Sequence, residues 1–212
     1  MLIAGSYLII TYMEKINLPK PSEKSKTSVE EALLKRRSIR RFKDEPLKMA
    51  EVSQLLWAAT GVTDKKGRTT VPSAGGTYPL QAYLVAGNTA GIPAGIYKYE
   101  RFDNTLAPVV EGDKRLDLAN ASLYQSSVNE ASISIVLTAF YERTTSRYGD
   151  RGFRYVHMEA GHCAQNVALQ AVGLNLGTVM VGAFNDLDLK KTMALSATEE
   201  PLYIIPVGKP KK

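Results

Sequence analysis

The chain has 212 residues, of which 44% are hydrophobic and 23% are charged, and its formal net charge is +6. This composition is that of a soluble, globular, single-domain protein without internal repeats or low-complexity segments. The positive charge is modest and no nucleic-acid-binding motif accompanies it, so we expect no nucleic-acid partner.

The few cysteines and histidines restrict the chemistry further. Cys163 is the only cysteine, which excludes an intrachain disulfide bond and a cysteine metal cluster and fits a cytoplasmic protein. His157 and His162 are the only histidines, and on a helix their side chains would point about 140° apart. We therefore predict no metal site.

The amino-terminal residues 1–13 are apolar and uncharged, whereas residues 14–26 are polar and contain two prolines. The apolar run is too short to cross a bilayer and lacks the basic start of a signal peptide. We divide the chain into residues 1–27, an N-terminal arm or start-site extension, and residues 28–212, the folded domain. Met13 is an alternative start, and a membrane anchor is the alternative that this pattern disfavours.

Two helices are predicted next in the chain. Ser28 and Glu31 form a capping-box pattern for a helix through residue 37. Its inner side is expected to carry Val29, Ala32, Leu33 and Arg36. A second helix opens at residues 46–47 and ends at Gly61, with apolar residues at the spacing i, i+3, i+4, i+7. These residues are Val52, Leu55, Leu56 and Ala59.

The remaining elements mix strands and helices. Strands are predicted at residues 82–87, 95–100, 105–110, 132–140, 177–183 and 202–207, and helices at residues 114–122, 124–129, 153–172 and 185–194. The nearly continuous β-branched and apolar run of residues 132–140 predicts a central strand buried on both faces. The chain shows no regular βαβ alternation and no Gly-x-Gly-x-x-Gly after a strand. We therefore predict an α+β fold rather than a doubly wound dinucleotide-binding fold.

A glycine-rich stretch at residues 72–79 carries two prolines around small residues and a glycine pair. Pro72 biases the preceding residue towards extended geometry, while Gly75 and Gly76 can adopt backbone angles closed to other residues and leave room for a ligand. Ser73 and Thr77 add hydroxyl groups. The stretch is either a ligand-binding loop or an ordinary turn before the next strand.

A basic segment at residues 36–42 reads Arg36-Arg37-Ser38-Ile39-Arg40-Arg41-Phe42 and follows the first predicted helix. Guanidinium groups suit a phosphate because they bind it through two parallel, charge-assisted hydrogen bonds. The segment also offers a serine hydroxyl and an apolar anchor. A solvated basic turn is the alternative, since helix C-termini favour cations in any case.

These motifs together resemble a known family. The basic segment after a capped helix resembles the opening motif of the nitroreductase-type flavin enzymes. Residues 72–80 resemble the branch that contains the dehydrogenases of thiazolines and oxazolines in modified peptides. Further matches are Glu159-Ala160-Gly161-His162, Gln165-Asn166, Gly177, Val181-Gly182-Ala183-Phe184 and Pro206-Val207-Gly208-Lys209-Pro210. The resemblance covers residues 28–209.

The resemblance implies a three-layer α+β fold, with a mostly antiparallel central sheet flanked by helices. It implies FMN at the interface of a homodimer in which both subunits contribute to each site. The implied reaction is ping-pong: NADH or NADPH reduces the flavin, and a small electrophilic acceptor such as a nitroaromatic or a quinone then takes the donor's place. Oxidation of a substrate with oxygen as acceptor remains open.

The resemblance also implies roles for individual residues. Arg36 and Ser38, with Arg37 between them, match positions that hold the phosphate and ribityl chain. Arg40 matches the basic position at the pyrimidine edge and is the only candidate for a catalytic role. The loop that closes over FMN from the partner subunit corresponds to Pro72, Ser73, Ala74 and Gly75. The backbone that faces flavin N5 corresponds to Val181 and Gly182, and a second phosphate clamp to Lys209 and Lys211.

Other positions keep two interpretations. Gln165, with Glu159 and His162, either contacts FMN or belongs to a buried helix surface.

The sequence also departs from the family pattern. Nitroreductases often carry a glutamate before the glycine at N5, where this chain has Val181. The peptide dehydrogenases use a lysine–tyrosine pair for proton removal, which we do not place. The candidates for lining the site are Tyr78, Tyr141, Tyr148 and Tyr155. These departures motivate a competing hypothesis, a flavin-binding protein without turnover or a partner-dependent dehydrogenase subunit.

Overall fold

The structure is a computed structural model that describes residues 14–211. Its strands are β1 Ile16–Asn17, β2 Leu47–Lys48, β3 Leu80–Ala86, β4 Thr89–Ala90, β5 Gly95–Glu100, β6 Thr105–Glu111, β7 Ile133–Ala139, β8 Gly177–Thr178 and β9 Glu200–Gly208. Within the described range, seven strands form one sheet in the order β1-β6-β5-β3-β7-β9-β8, and every neighbouring pair is antiparallel. The short strands β2 and β4 form a separate parallel pair.

Helices cover both faces of this sheet. They are α1 Val29–Lys35, α2 Met49–Thr60, α3 Arg115–Ala121, α4 Ser126–Glu130, α5 Glu142–Tyr148, α6 Arg151–Gly173 and α7 Asp186–Met193. One hydrophobic cluster joins α2 and α6 to the sheet, and a second joins α3, α4 and α7 to its other face. The predicted three-layer α+β fold with a mostly antiparallel sheet is therefore confirmed.

The sheet is centred on β7, as its apolar sequence predicted. All seven of its residues are buried, and it pairs with β3 on one side and β9 on the other. Alternate residues face the two clusters: Ile135 and Leu137 point towards α2 and α6, and Val136 points towards the opposite helices. A strand that is buried on both faces has no polar face, which explains why its sequence lacks alternation.

The helices α2 and α6 provide most of the helical core. On α2, the four predicted inner residues Val52, Leu55, Leu56 and Ala59 have no exposed surface. The buried face of α6 is rich in small side chains, including Ala160, Cys163, Ala164 and Ala171. Because small side chains allow close approach, α6 lies against both α2 and the sheet.

Helix α1 differs from its prediction in the side that it buries. Ser28 caps the helix as expected, since its hydroxyl accepts a hydrogen bond from the Glu31 N–H at 3.1 Å. However, Val29 and Leu33 are 65% and 54% exposed, and Ala32 is the buried residue of the helix. The predicted inner side was right for Ala32 and wrong for Val29 and Leu33. Apolar residues lie around most of this two-turn helix, so their spacing does not select one face.

Several elements were not predicted, or were predicted too long. The helix α5 and the two-residue strands β1, β2 and β4 were missed. The predicted strand at residues 177–183 is β8 followed by a break and a single bridge between Val181 and Ile204. The chain leaves the sheet between these two contacts, which an apolar run does not reveal.

The predicted arm contacts the domain where it is described. Strand β1 pairs with β6, and Leu18 is buried in the core. The boundary at residue 28 stays a prediction, and the alternatives of a start at Met13 or a membrane anchor concern residues outside the described range. No helix of residues 14–211 is long and apolar enough to cross a membrane.

Candidate functional site

The structure brings together two basic segments that are far apart in sequence. The Lys43 N–H donates to the Lys209 carbonyl at 2.9 Å, and the Lys211 N–H donates to the Arg41 carbonyl at 3.0 Å. Between them, Phe42 and Pro210 form an antiparallel bridge. The backbone of the basic segment thus runs beside the carboxyl end of β9.

Two glycines allow this close approach. A Cβ atom on Gly177 would lie 2.8 Å from the Cβ of Ile39, and one on Gly208 would lie 2.9 Å from the ring of Phe42. The Ile39 N–H donates to the Thr178 carbonyl at 2.9 Å. The basic segment is therefore fixed against β8 and β9, and Phe42 is buried as the predicted anchor.

Most of the basic side chains have no acidic partner. Among residues 14–211, no side-chain hydrogen bond or ion pair involves Arg36, Ser38, Arg40, Lys209 or Lys211. Arg37 differs, because its Nη1 donates to the carbonyls of Leu34 and Arg36 and it lines a cleft of about 310 Å³ between α1 and α6. Cations without an acidic partner, on two segments that the backbone holds together, are suited to an anionic ligand.

The glycine-rich stretch has the backbone that its sequence predicted. Gly75 and Gly76 have φ angles of 60° and 67°, within a short 3-10 turn. A Cβ atom on Gly75 would also lie 2.5 Å from the hydroxyl of Tyr148. Glycine is required there for both reasons, backbone angle and space.

Helix α5, which the sequence did not reveal, holds this loop. Arg147 Nη1 donates to the Gly75 carbonyl at 3.0 Å, and Arg143 Nη1 donates to the Tyr78 carbonyl at 3.1 Å. The hydroxyls of Thr77 and Thr144 are 2.8 Å apart. Arg143 and Arg147 lie four residues apart and therefore on one face of the helix. This spacing is the sequence signal that could have predicted a helix here.

Glu159 supports the loop from α6. Its side chain is buried, and the Ser73 hydroxyl and the Ala74 N–H lie close enough to favour its charged form. Burial raises the pKa of this carboxyl to about 7, although these two donors and the charge of Arg101 act in the opposite direction. Glu159 is therefore a buried group beside the loop, and its contact with FMN stays a prediction.

The loop and the basic segments lie at opposite ends of the sheet. Leu80, just after the loop, pairs with Ala139, whereas Val207, just before Gly208, pairs with Ile133 at the other end of β7. Six residue steps along a strand correspond to about 20 Å. One chain therefore does not bring the two halves of the predicted site together.

The remaining predicted positions have distinct surroundings. The Val181 N–H donates to the Ile204 carbonyl at 2.8 Å, so this group already has a partner. Gly182 is exposed, and within residues 14–211 its N–H has no hydrogen-bond partner. Gln165 and His162 are exposed on α6. Of the pair predicted to face N5, only Gly182 offers a free backbone donor.

Three of the four candidate tyrosines lie near the loop. The Tyr148 hydroxyl is against Gly75, and its ring contacts that of Tyr155 at a centroid distance of 5.2 Å. Tyr78 belongs to the loop itself. Tyr141 instead forms a hydrogen bond of 2.6 Å with Nε2 of His157 on α6.

Comparison with known proteins decides the family. A family model described as the Nitroreductase family matches residues 33–209. The chain belongs to this family.

The Methanocaldococcus jannaschii protein named "Putative nitroreductase MJ1384" is 45% identical over 195 residues, covering 92% of this chain and 96% of that protein. The Escherichia coli "Microcin B17-processing protein McbC" is 28% identical over 145 residues, covering 63% of this chain and 51% of that protein. The second relative agrees with the branch that residues 72–80 indicated.

Solved structures share the same fold. The crystal structure of a "putative nitroreductase" from Ralstonia eutropha superimposes with a TM-score of 0.83 at 29% identity, covering 93% of this chain and 90% of that one. Another, from Desulfovibrio desulfuricans and in complex with FMN, has a TM-score of 0.65 at 23% identity, with 89% of both chains covered. The nitroreductase fold predicted from the motifs is thus confirmed.

Proposed function

We propose that the protein is an FMN-dependent oxidoreductase that uses NADH or NADPH to reduce a small electrophile, such as a nitroaromatic or a quinone. The observation that carries the proposal is that the backbone of the basic segment, which carries Arg36, Ser38 and Arg40, is hydrogen-bonded to the segment that carries Lys209 and Lys211. Within residues 14–211, none of these side chains forms an ion pair. Membership of the Nitroreductase family and the FMN-bound structure with this fold support it.

The donor set of this cluster fits the terminal phosphate of FMN. Two arginines offer planar, charge-assisted donors, Ser38 offers a hydroxyl, and the two lysines add positive charge. A phosphate monoester is close to doubly charged at neutral pH, so it would compensate the mutual repulsion of these cations. Bound there, FMN would supply the hydride chemistry that no side chain provides.

The other predicted contacts complete this proposal. Arg40 would lie at the pyrimidine edge, and the free N–H of Gly182, beside Val181, would face the ring. Gln165, exposed on α6, remains a proposed contact. Val181 has no carboxylate, so we assign no acid–base residue at this position.

We propose a homodimer in which the loop of each subunit, Pro72 to Gly75, closes the flavin site of the other. The separation of about 20 Å between the loop and the basic segments within one chain supports this arrangement. A second support is apolar surface left open on two neighbouring helices. On α1 and α6 the exposed apolar residues are Val29, Leu33, Leu34, Phe153 and Met158. Burying such a surface against a second copy would remove it from water.

Two measurements test the activity directly. Flavin released by heat is identified by chromatography, and oxidation of NADH and NADPH is followed with and without a nitroaromatic. We expect FMN and acceptor-dependent oxidation of at least one nicotinamide. Recovery of FAD, or FMN without any such oxidation, would contradict the proposed reaction.

A second candidate function is a dehydrogenase subunit that works only with a partner protein. The similarity to McbC, which is named for processing microcin B17, favours it. Tight FMN binding with no oxidation of NADH or NADPH by the isolated protein would support this candidate. A cytoplasmic location remains a prediction from the single cysteine.

A further inference from the structure

A separate cavity of about 230 Å³ lies where β3 begins, β5 ends and α5 follows β7. The residues around it include Gln81, Lys98, Glu100, Arg101, Phe102 and Arg143. The cavity adjoins the glycine-rich loop, because Tyr78 of that loop contacts both Arg101 and Arg143. The cavity is distinct from the basic cluster, which lies at the other end of the sheet.

The two arginines of this cavity are held in place by aromatic rings. The Arg101 guanidinium lies 5.4 Å from the ring centroid of Tyr78 and 5.6 Å from that of Phe102. Arg143 lies 4.8 Å from the ring centroid of Phe140, and its Nη1 bonds the Tyr78 carbonyl. An aromatic ring that packs on the face of a guanidinium fixes its orientation and leaves the N–H groups at its edge available to a ligand.

The charges around the cavity are not balanced by ion pairs. Within residues 14–211, neither Arg101 nor Arg143 forms a salt bridge, and the Arg101 side chain forms no hydrogen bond. Glu100 lines the cavity and Glu159 lies within electrostatic reach, but neither contacts Arg101 at ion-pair distance. Burial first, and then the like charge of Arg143, lower the pKa of Arg101. A partly buried guanidinium that forms no ion pair and no hydrogen bond is stabilised by an anion that accepts from it.

We propose that Arg101 and Arg143 bind an oxyanion of the substrate, either a carboxylate on the electron acceptor or the additional phosphate that distinguishes NADPH from NADH. Both groups are planar or tetrahedral oxyanions that guanidinium donors bind in the same way. The role in substrate selection rests on the proposed function, because the cavity adjoins the loop that would close the partner's flavin site. Anion binding by the two arginines does not rest on it.

Anion binding is tested by isothermal titration calorimetry with benzoate and with inorganic phosphate, on the protein as purified. The variants are Arg101→Gln and Arg143→Gln, and the matched control is Lys191→Gln, which removes one exposed charge from α7 on the other face of the sheet. We expect Arg101→Gln to weaken binding of at least one anion about tenfold, and the control to leave it unchanged. Equal affinities in the parent and both arginine variants would overturn the anion site.

The source of the oxyanion is tested with matched substrate pairs. The ratios of kcat/KM are measured for 4-nitrobenzoate against 4-nitrobenzamide, and for NADPH against NADH. A selective fall of the first ratio in Arg101→Gln assigns the site to the acceptor, and a fall of the second assigns it to the donor. Lost anion binding with both ratios unchanged would overturn the substrate role. No turnover of any pair by the parent protein would contradict the proposed function, while the calorimetry still decides the anion site.

Discussion

At the scale of single residues, the candidate site depends on positions where a side chain or its absence has one clear physical consequence. Gly177 and Gly208 admit the basic segment, Gly75 admits the Tyr148 hydroxyl, and Glu159 ties α6 to the loop. Gly182 is of another kind, because a Cβ atom there would meet only the Tyr203 ring, at 3.8 Å. The chain itself gives no reason for glycine at this position.

Substitutions at Gly182 and at Gly177 should therefore distinguish an effect on function from an effect on folding. We expect Gly182→Val to leave the thermal unfolding temperature near that of the parent, because a Cβ atom there has room. It should lower FMN affinity or NAD(P)H oxidation about tenfold, because the new side chain would occupy the space that we propose for the cofactor. Gly177→Val is the matched control and should instead destabilise the fold, because it collides with Ile39. Full activity of Gly182→Val would show that the N5 contact is misplaced.

Glu159 predicts a specific pH dependence of stability. Its pKa is raised from 4.5 to about 7 in the folded state, so between these pH values the folded protein holds a proton that the unfolded chain has released. The contribution of Glu159 to the free energy of unfolding is therefore fully present below pH 4.5 and is lost as the pH rises to about 7. Glu159→Gln cannot ionise, and its free energy of unfolding should change relative to that of the parent by at most about 1.4 kcal/mol per pH unit. Urea unfolding across this range measures it, and a constant difference between the two proteins would contradict the assignment.

Arg36 and Arg40 should have separable effects on the flavin. If Arg40 lies at the pyrimidine edge, as the family resemblance implies, its charge is worth about 1–3 kcal/mol to the reduced flavin, which corresponds to about 20–60 mV. Arg40→Ala should lower the midpoint potential by this amount, whereas Arg36→Ala should weaken FMN binding with little change in potential. Arg41→Ala is the control, as an exposed neighbour without an assigned contact. A dye-linked potential titration measures these effects, and reversed effects would exchange the two roles.

At the scale of elements, the sequence predicts those segments whose pattern is long and unambiguous. β7 is continuously apolar, α2 carries a clear helical spacing, and α6 has a long face of small residues, so all three were predicted near their observed bounds. α5 is polar and only seven residues long, and β1, β2 and β4 have two residues each, so no periodicity identifies them. The hydrogen bond between Val181 and Ile204 depends on where the chain leaves the sheet, which local sequence does not encode.

The contact between α5 and the loop gives a prediction about an element that the sequence did not reveal. Arg147→Ala removes the donor to the Gly75 carbonyl and should loosen the loop without unfolding the chain. Hydrogen–deuterium exchange of residues 73–77 should become faster, and FMN affinity should fall. Arg151→Ala, an exposed arginine at the start of α6, serves as the control. Unchanged exchange in Arg147→Ala would show that α5 is not needed to hold the loop.

At the scale of the whole molecule, the central claim is that FMN is bound between two copies of the chain. It combines the unpaired cations at one end of the sheet, the loop at the other end, and the open apolar faces of α1 and α6. Because each site would need both subunits, flavin binding and dimerisation should be thermodynamically linked.

Sedimentation velocity across a dilution series, recorded at both the protein and the flavin absorption bands, tests this claim most directly. We expect the flavin signal to sediment only with the dimer, and added FMN to shift the monomer–dimer equilibrium towards the dimer. Flavin that sediments with a stable monomer, or a dimer whose dissociation is unaffected by FMN, would contradict a site shared between subunits.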